Sequence, residues 1–390
     1  MCVIVDSNLL NSIECALDDF IFPLFVYEDE NAYKQSLLSG YMNRSKIYYN
    51  KLTDLLERLK WLGISQILLF GVPKTRNRNG STSSYKHGVV QNSIRIVKEN
   101  FGKDFLVFSD ICLCQYNTSG HCGIISDNNR KNLEQNKNSS SFEIDNDKTL
   151  YSLGKVSLSL SQSGTDFIAP SAMMDGQVAY LRRLLNNNGF ENVKILSYSA
   201  KHNSCLYSPF RNNNYLKPGF IEKSSYQCPI NNERESLREI ILDIKEGSDW
   251  VMIKPSLWYM DVIRHVKEIV NVPVVVQNVS GEYAMLSNIL NSELTKILSL
   301  NTNIEKKVST RMLSAFSLDF DPLSWSPAVK QKQRNKQKLT LSKPSNDGIL
   351  AEKYVNGIKF LHLLKRAGAD KIITYFLLDL LDEESNRFVK

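Results

Sequence analysis

The chain has 390 residues, of which 42% are hydrophobic and 10% aromatic. That composition excludes wholesale disorder, which needs low hydrophobicity and high net charge. The net charge is +7, but Lys330, Lys332, Arg334, Lys336, Lys338 and Lys343 lie between Pro327 and Asn346 with no acid among them, and without them the balance is +1. The basicity is local, so it does not describe a nucleic-acid-binding surface spread over the whole chain. The longest clean apolar run is Phe20 to Val26. A membrane-spanning helix needs about twenty residues, so a soluble protein is expected. Seven acidic residues precede the first cation, Lys34. This argues against a secretory signal or an Arg-rich transit peptide, and makes the cytoplasm the expected compartment, with an organelle as the alternative. The seven cysteines then read as reduced thiols or metal ligands rather than a disulfide framework.

Eight short apolar runs, rich in β-branched and aromatic residues, predict strands. In chain order they are Phe20–Val26, Gln66–Gly71, Phe105–Asp110, Asp166–Pro170, Val193–Ser199, Asp249–Pro255, Pro273–Gln277 and Lys371–Tyr375. None alternates strictly between apolar and polar, so each is expected to be covered on both faces, as in a parallel sheet. Helical periodicity fills the gaps, at 49–62, 150–161, 234–246 and 354–367. Gly63, Gly164, Gly189, Gly247 and Gly368 stand where a helix must stop before the next strand.

This order predicts a (β/α)8 TIM barrel, an α/β fold. A doubly wound open sheet is the alternative, and it usually shows a glycine-rich loop after its first strand. Here YEDENAY follows Val26, without glycine. Residues 1–19 read as a short N-terminal arm and 20–390 as a single barrel domain. Two segments break the pattern: 128–141, polar and low in complexity, and 316–348, long, basic and punctuated by proline. Both read as surface insertions.

Chemistry in a barrel sits at the carboxyl ends of the strands. There the sequence places Asp110, Ser171, Lys201, Lys254, Ser280 and Tyr375. A lone lysine at such a position is most simply a salt-bridged residue with its stem packed on apolar neighbours. Two lysines facing one mouth point to a Schiff-base nucleophile, because the second cation lowers the first one's proton affinity. Cys112, Cys114 and Cys122 follow the third strand in DICLCQYNTSGHC. Three thiols on one loop leave a fourth zinc position open, as in a catalytic site. His121 is either a further ligand or a neighbour. The remaining cysteines, Cys2, Cys15, Cys205 and Cys228, read as small buried hydrophobes. Met173 and Met174 read as packing, and His265 and His362 as structural or surface residues. His202 could tune the charge of Lys201.

The stretches ILLFGVP (67–73), DICLCQYNTSGHCG (110–123), IDNDKTL (144–150), APSAMMDGQV (169–178), SYSAKHNSCLYSPFR (197–211), VMIKPSLWYMD (251–261), VSGEYAML (279–286) and RAGADKIITYF (366–376) are collinear over nearly the whole barrel. In them the chain resembles the porphobilinogen synthase, or 5-aminolevulinate dehydratase, family. The resemblance implies a homo-oligomeric enzyme of tetrapyrrole synthesis, usually an octamer. It implies condensation of two 5-aminolevulinate molecules to porphobilinogen with loss of two waters. Lys254 matches the Schiff-base lysine and Lys201 the second active-site lysine. Cys112, Cys114 and Cys122 match the zinc ligands, and Asp110 an acid–base or orienting carboxylate. Ser280 and Tyr375 match groups on the first substrate's carboxylate, and Arg211 a group on the second's. Lys223, Gln227, Ser171, Tyr207 and Phe210 complete the implied substrate contacts, several of them on a lid over His202 to Cys228. Glu239 matches a glutamate that binds an allosteric magnesium, although the usual arginine partner from the arm is not evident.

The chain also departs from the family pattern. Ala172 and Gln177 stand where Asp and Arg are usual, as if an ion pair beside the barrel mouth were removed whole. Lys223 stands for Arg, and Gln277 for an aromatic residue. The arm is short, so octamer formation is less firmly implied than the fold. These departures keep open a degenerate, weakly active or inactive relative. A third reading, polyanion binding through the basic insertion, rests on six cations with only Trp325 nearby as an aromatic; a solvated loop is the simpler account.

Overall fold

The computed structural model describes residues 17–38, 42–126, 143–208, 223–288 and 348–381. The strands are β1 (Phe20–Tyr27), β2 (Lys46–Tyr48), β3 (Gln66–Val72), β4 (Leu106–Ile111), β5 (Ile124–Ile125), β6 (Ile144–Asp145), β7 (Phe167–Pro170), β8 (Lys194–Lys201), β9 (Trp250–Lys254), β10 (Val274–Gln277) and β11 (Lys371–Ile373). The helices are α1 (Glu30–Leu37), α2 (Leu52–Trp61), α3 (Val89–Phe101), α4 (Asn146–Gln162), α5 (Gln177–Asn187), α6 (Glu233–Lys245), α7 (Met260–Ile269) and α8 (Gly348–Ala367). Strands β1, β3, β4, β7, β8, β9, β10 and β11 pair in that order, and β11 closes onto β1 at Phe20 and Ile372. Every pairing in the ring is parallel. The expected eight-stranded barrel is therefore the observed one.

The strands lack polar alternation because both of their faces are packed. Ile21, Leu68, Phe108, Phe167, Leu196, Met252 and Val275 fill the barrel interior. Phe22, Ile67, Val107, Ile168, Ile195, Val251 and Val274 belong to the outer core. The lower interior is plugged by rings: Phe167 lies 4.4 Å from Phe108 and 4.6 Å from Trp250. The helices follow their apolar stripes. In α2, Leu52, Leu55, Leu56 and Leu59 are buried at the spacing of one helix face. Helix α4 starts four residues before its apolar stripe does, because the Asp145 carboxylate accepts from the Lys148 N–H at 3.0 Å and caps it.

Three small strands were not expected. β2 adds beside the end of β1, outside the ring. β5 and β6 form an antiparallel ladder that brackets the polar insertion; residues 127–142 lie outside the described residues. The arm over 1–16 and the basic insertion up to residue 347 also lie outside them. Among the described residues, no helix is long and apolar enough to cross a membrane.

One device recurs three times at the amino-terminal end of the barrel. Gly164-Thr165-Asp166, Gly247-Ser248-Asp249 and Gly368-Ala369-Asp370 each join a helix to a strand. The glycines have φ of +98°, +104° and +123°, a region that a side chain would strain. Each aspartate accepts from the backbone of the preceding ring strand: Asp166 from Val107 N at 2.7 Å, Asp249 from Ile195 N at 2.8 Å, Asp370 from Val274 N at 2.8 Å. Each also pairs with a helix cation: Lys98 at 2.6 Å, Arg182 at 3.1 Å and Lys267 at 2.7 Å. The carboxylate thus fixes the strand pair and the helix packed on it. Asp249→Ala should cost about 1–3 kcal/mol, since a backbone donor and a guanidinium lose one acceptor, discounted for partial exposure. A lower urea midpoint, with Asp249→Asn intermediate, is the expected measurement.

Candidate active site

A cavity of about 700 Å³, counting its open mouth, lies at the carboxyl ends of the ring strands. Its lining includes Asp110, Cys114, Cys122, Ser171, Lys201, Tyr207, Lys223, Gln227, Lys254, Ser280 and Tyr375. The structure therefore brings together most of the residues singled out from sequence. Arg211 and Phe210 lie outside the described residues.

The two lysines meet because of an irregularity in β8. Leu196 and Tyr198 point into the barrel, and simple alternation would send Lys201 outward. Between Ser197 and Ala200 the register against β9 slips by one residue. Ala200 then joins the outer core, and Lys201 pairs with Lys254 across the two strands. Such a bulge re-aims a side chain. Lys201 donates to the Ser171 carbonyl at 2.5 Å. The Lys254 ammonium lies 5.2 Å from the Tyr198 ring centre and 5.8 Å from that of Tyr207. Enclosure by protein, then the charge of Lys201, lowers the Lys254 pKa to about 7.

Asp110 ends the inward row of β4. Its Oδ1 has no hydrogen-bond partner among the described residues. Burial raises its carboxyl to about 6, against hydrogen bonding and the opposing pull of the two lysines. It is poised to hold or release a proton near neutrality.

The three thiols converge, with their sulfurs within 4.8 Å of one another. Cys112 and Cys114 are 3.3 Å apart. Hydrogen bonds from Cys112 and Cys114, and the charges of Lys223 and Lys201, hold the Cys122 thiol well below its ordinary range. Hydrogen bonding to its neighbours and burial push Cys112 up. Lys223 is buried and its Nζ lies 3.2 Å from Cys122 Sγ. Tyr226, which sequence reasoning passed over, joins the cluster: its Oη accepts from Cys122 N at 3.3 Å, and His121 Nδ1 lies 3.2 Å from that oxygen. His121 thus packs beside the thiols on a tyrosine and is not one of the clustered donors.

On the opposite wall, the Ser280 hydroxyl donates to the Leu206 carbonyl at 3.2 Å. Gly281 lets that chain approach, since a Cβ there would stand 2.6 Å from the Leu206 oxygen. Tyr375 lies two residues beyond the end of β11, not within the strand as expected, 6.4 Å from Phe25 in a stacked arrangement. Phe25 and Phe70, also stacked at 4.8 Å, floor the cavity. Neither was singled out, because an aromatic in a buried strand gives no sign of which face it takes.

Other expectations are corrected. His202 does not face Lys201. It stacks on Tyr259 at 3.7 Å, and its Nε2 lies 2.9 Å from Ser236 Oγ. Burial lowers its pKa to about 4, so it is neutral. Cys205 is exposed, whereas Cys228 is buried as expected. Met173 and Met174 pack as expected, on the inner and outer cores. Glu239 lies on α6, away from the cavity lining, with Arg238 3.3 Å away. Ala172 is fully buried, and Gln177 accepts from Met174 N at 3.3 Å to brace the start of α5. Gln277 is fully buried level with Lys254, since Val276 pairs with Ile253.

A closed parallel barrel with paired lysines and a thiol trio at one mouth defines a barrel enzyme equipped for carbonyl–amine chemistry. A family model described as delta-aminolevulinic acid dehydratase matches residues 6–309. The delta-aminolevulinic acid dehydratase of Methanothermus sociabilis is 42% identical over 280 residues, 72% of this chain and 82% of that protein. That of Staphylococcus epidermidis is 36% identical over 375 residues, 96% of this chain and 93% of that protein. Among solved structures, the Toxoplasma gondii ME49 enzyme in complex with its product porphobilinogen has a TM-score of 0.71 and 26% identity, covering 96% of this chain and 87% of that one. The chain belongs to the delta-aminolevulinic acid dehydratase family. Its activity is that of a hydro-lyase, the formation of porphobilinogen from 5-aminolevulinate.

The thiol trio makes a prediction that needs no turnover. Cobalt(II) added to the reduced protein should give a thiolate-to-metal charge-transfer band. Cys122→Ser should weaken that binding by more than the roughly 10–100-fold typical of losing an outer partner. An unchanged titration would show that the cluster is not the metal site.

Proposed function

We propose that Lys254 forms the Schiff base with the first 5-aminolevulinate and that Lys201 is the second active-site amine. The observation that carries this is the in-register pairing of the two lysines at the cavity. An amine attacks a ketone only when unprotonated. Lys254, with its pKa lowered to about 7, supplies a free amine near neutral pH. Its nitrogen adds to the ketone carbon, and the resulting carbinolamine loses water to leave the imine. Lys201 or Asp110 supplies the proton that departs with that water, and the nitrogen keeps its own proton, so the product is the protonated imine. Ser280 and Tyr375 hold the first substrate's carboxylate. Arg211 is assigned to the second substrate's carboxylate on sequence resemblance alone. Gln227, Tyr207 and Ser171 line the cavity around them.

The donor set suits zinc. Tetrahedral zinc with Zn–S of about 2.3 Å needs sulfur spacings of about 3.8 Å, and the trio lies within 4.8 Å. We assign Cys112, Cys114 and Cys122 as its ligands. A bound zinc ion supplies Lewis acidity that lowers the proton affinity of an amine meeting it. Lys223, beside Cys122, offsets the negative charge of the thiolates.

Borohydride reduction in the presence of 5-aminolevulinate, followed by peptide mass mapping, should place the adduct on Lys254. Trapping should rise through an apparent pKa of about 7, because only the neutral amine adds and it is lost as pH falls. In Lys201→Met the like charge is gone, so that midpoint should move to higher pH. An adduct on another lysine, or none on folded protein, would remove the assignment.

A further inference from the structure

Four polar side chains, Ser256, Asn278, Glu282 and Thr374, are 0% exposed. None lines the cavity, and the chemistry described above uses none of them. They form one connected network. Residues 280–288 are helical, and Glu282 stands in the first turn. Its Oε2 accepts from Val279 N at 2.7 Å, the return half of a capping box. Its Oε1 reaches the neighbouring strand end instead. It accepts from Ser256 N at 3.0 Å, from Ser256 Oγ at 3.1 Å, and from Leu257 N. Asn278 Nδ2 donates to Ser256 Oγ at 3.4 Å, and Thr374 Oγ1 donates to Asn278 Oδ1 at 3.5 Å. The backbone joins in, with Asn278 N donating to the Ile373 carbonyl at 2.8 Å.

The chain positions of these residues give the network its meaning. Ser256 is two residues after Lys254. Asn278 is two residues before Ser280. Thr374 is the residue before Tyr375. The network therefore ties together the ends of β9, β10 and β11, the three strand ends that present the Schiff-base lysine and the carboxylate-binding pair. Fold stability alone does not require a buried carboxylate here. Desolvating one is costly unless several donors meet it, and a plain apolar contact would join two loops more cheaply. What a carboxylate with four donors adds is fixed geometry.

We propose that Glu282, with Ser256, Asn278 and Thr374, is a positioning network that sets the distance between the Lys254 amine and the Ser280–Tyr375 carboxylate grip, and so selects a keto acid of 5-aminolevulinate's reach. The inference rests on the roles proposed above for Lys254, Ser280 and Tyr375. The network touches no substrate. It acts by holding the two anchor points apart by one fixed span, and misplacement by about 1 Å can cost as much as a hundredfold.

The test compares two ketones in the borohydride trap at Lys254. One is 5-aminolevulinate. The other is 1-aminopropan-2-one, which keeps the ketone and amine and lacks the carboxylate arm. The half-saturating concentration of 1-aminopropan-2-one divided by that of 5-aminolevulinate reads the contribution of the carboxylate grip. In Glu282→Gln the new amide N–H faces the Val279 N–H or the Ser256 and Leu257 donors. The ratio should fall roughly tenfold, through weaker capture of 5-aminolevulinate, while capture of the short ketone stays the same. Thr374→Val should move it the same way by less, and Thr374→Ser should restore it. If both ketones weaken together, or the ratio does not change, the network is structural only and the proposal is overturned. If Glu282→Gln does not fold, Thr374→Val and Ser256→Ala, which each remove one hydroxyl, decide the matter by the same ratio. Failure of the unmodified protein to form an adduct on Lys254 is a separate result, and it removes the underlying assignment together with this one.

Discussion

Two like charges placed side by side in one enclosed mouth govern the rest of this site. The two lysines pair across adjacent strands, where burial already disfavours either charge and each ammonium repels the other. The protein does not separate them, and one proton affinity gives way. Lys254 is the one that yields, since it is enclosed and has Lys201 beside it. Lys201 has a carbonyl to donate to. The neighbouring groups answer the same constraint. Asp110 and the Cys122 thiol place negative charge where the cations are, and Lys223 balances the thiol side. No single member of this set has its meaning alone.

The constraint itself depends on one extra residue. Without the slip between Ser197 and Ala200, Lys201 would face the helices and its charge would need a partner in the outer core. The bulge does in the backbone what no substitution could do in the side chain. It also explains the company Lys201 keeps. Tyr198, just before the slip, still points inward, and its ring lies 5.6 Å from the Lys201 ammonium and 5.2 Å from that of Lys254. One aromatic ring thus lies near both amines.

Most of the architecture was legible because fully covered strands must be apolar on both faces and because glycines mark where helices stop. The eight ring strands and their order followed from that. β2, β5 and β6 were not legible, since two or three residues carry no period. The strand-end polar residues were legible as a set, because polar groups in apolar runs are costly unless used. Their partners were harder. The bulge has no composition signal, so the in-register meeting of Lys201 and Lys254 could be expected only as convergence on one mouth. His202 was misjudged because adjacency in sequence says nothing of which side of a strand end a ring takes; Ser236 and Tyr259 claim it on the outer side. The G-x-D repeats at 164–166, 247–249 and 368–370 were present in the sequence as a signal and carried a mechanism that only the hydrogen bonds revealed.

Those repeats and the cavity show how the barrel divides its polar groups. At the amino-terminal end every aspartate of the repeat has a backbone donor and a cation, so its charge is spent on holding strand to helix. At the carboxyl end Asp110 keeps an oxygen unpartnered among the described residues, and the thiols share one another's hydrogens. A group already satisfied by the fold has nothing left to offer a substrate. A group left partly unsatisfied weakens the fold and is available to chemistry. The mouth can carry that cost because the other end of the same strands is fixed three times over. The strands that present Lys201 and Lys254 are gripped at their far ends by Asp249, through Ile195 and Arg182. Stability at one end is therefore a condition for reactive geometry at the other.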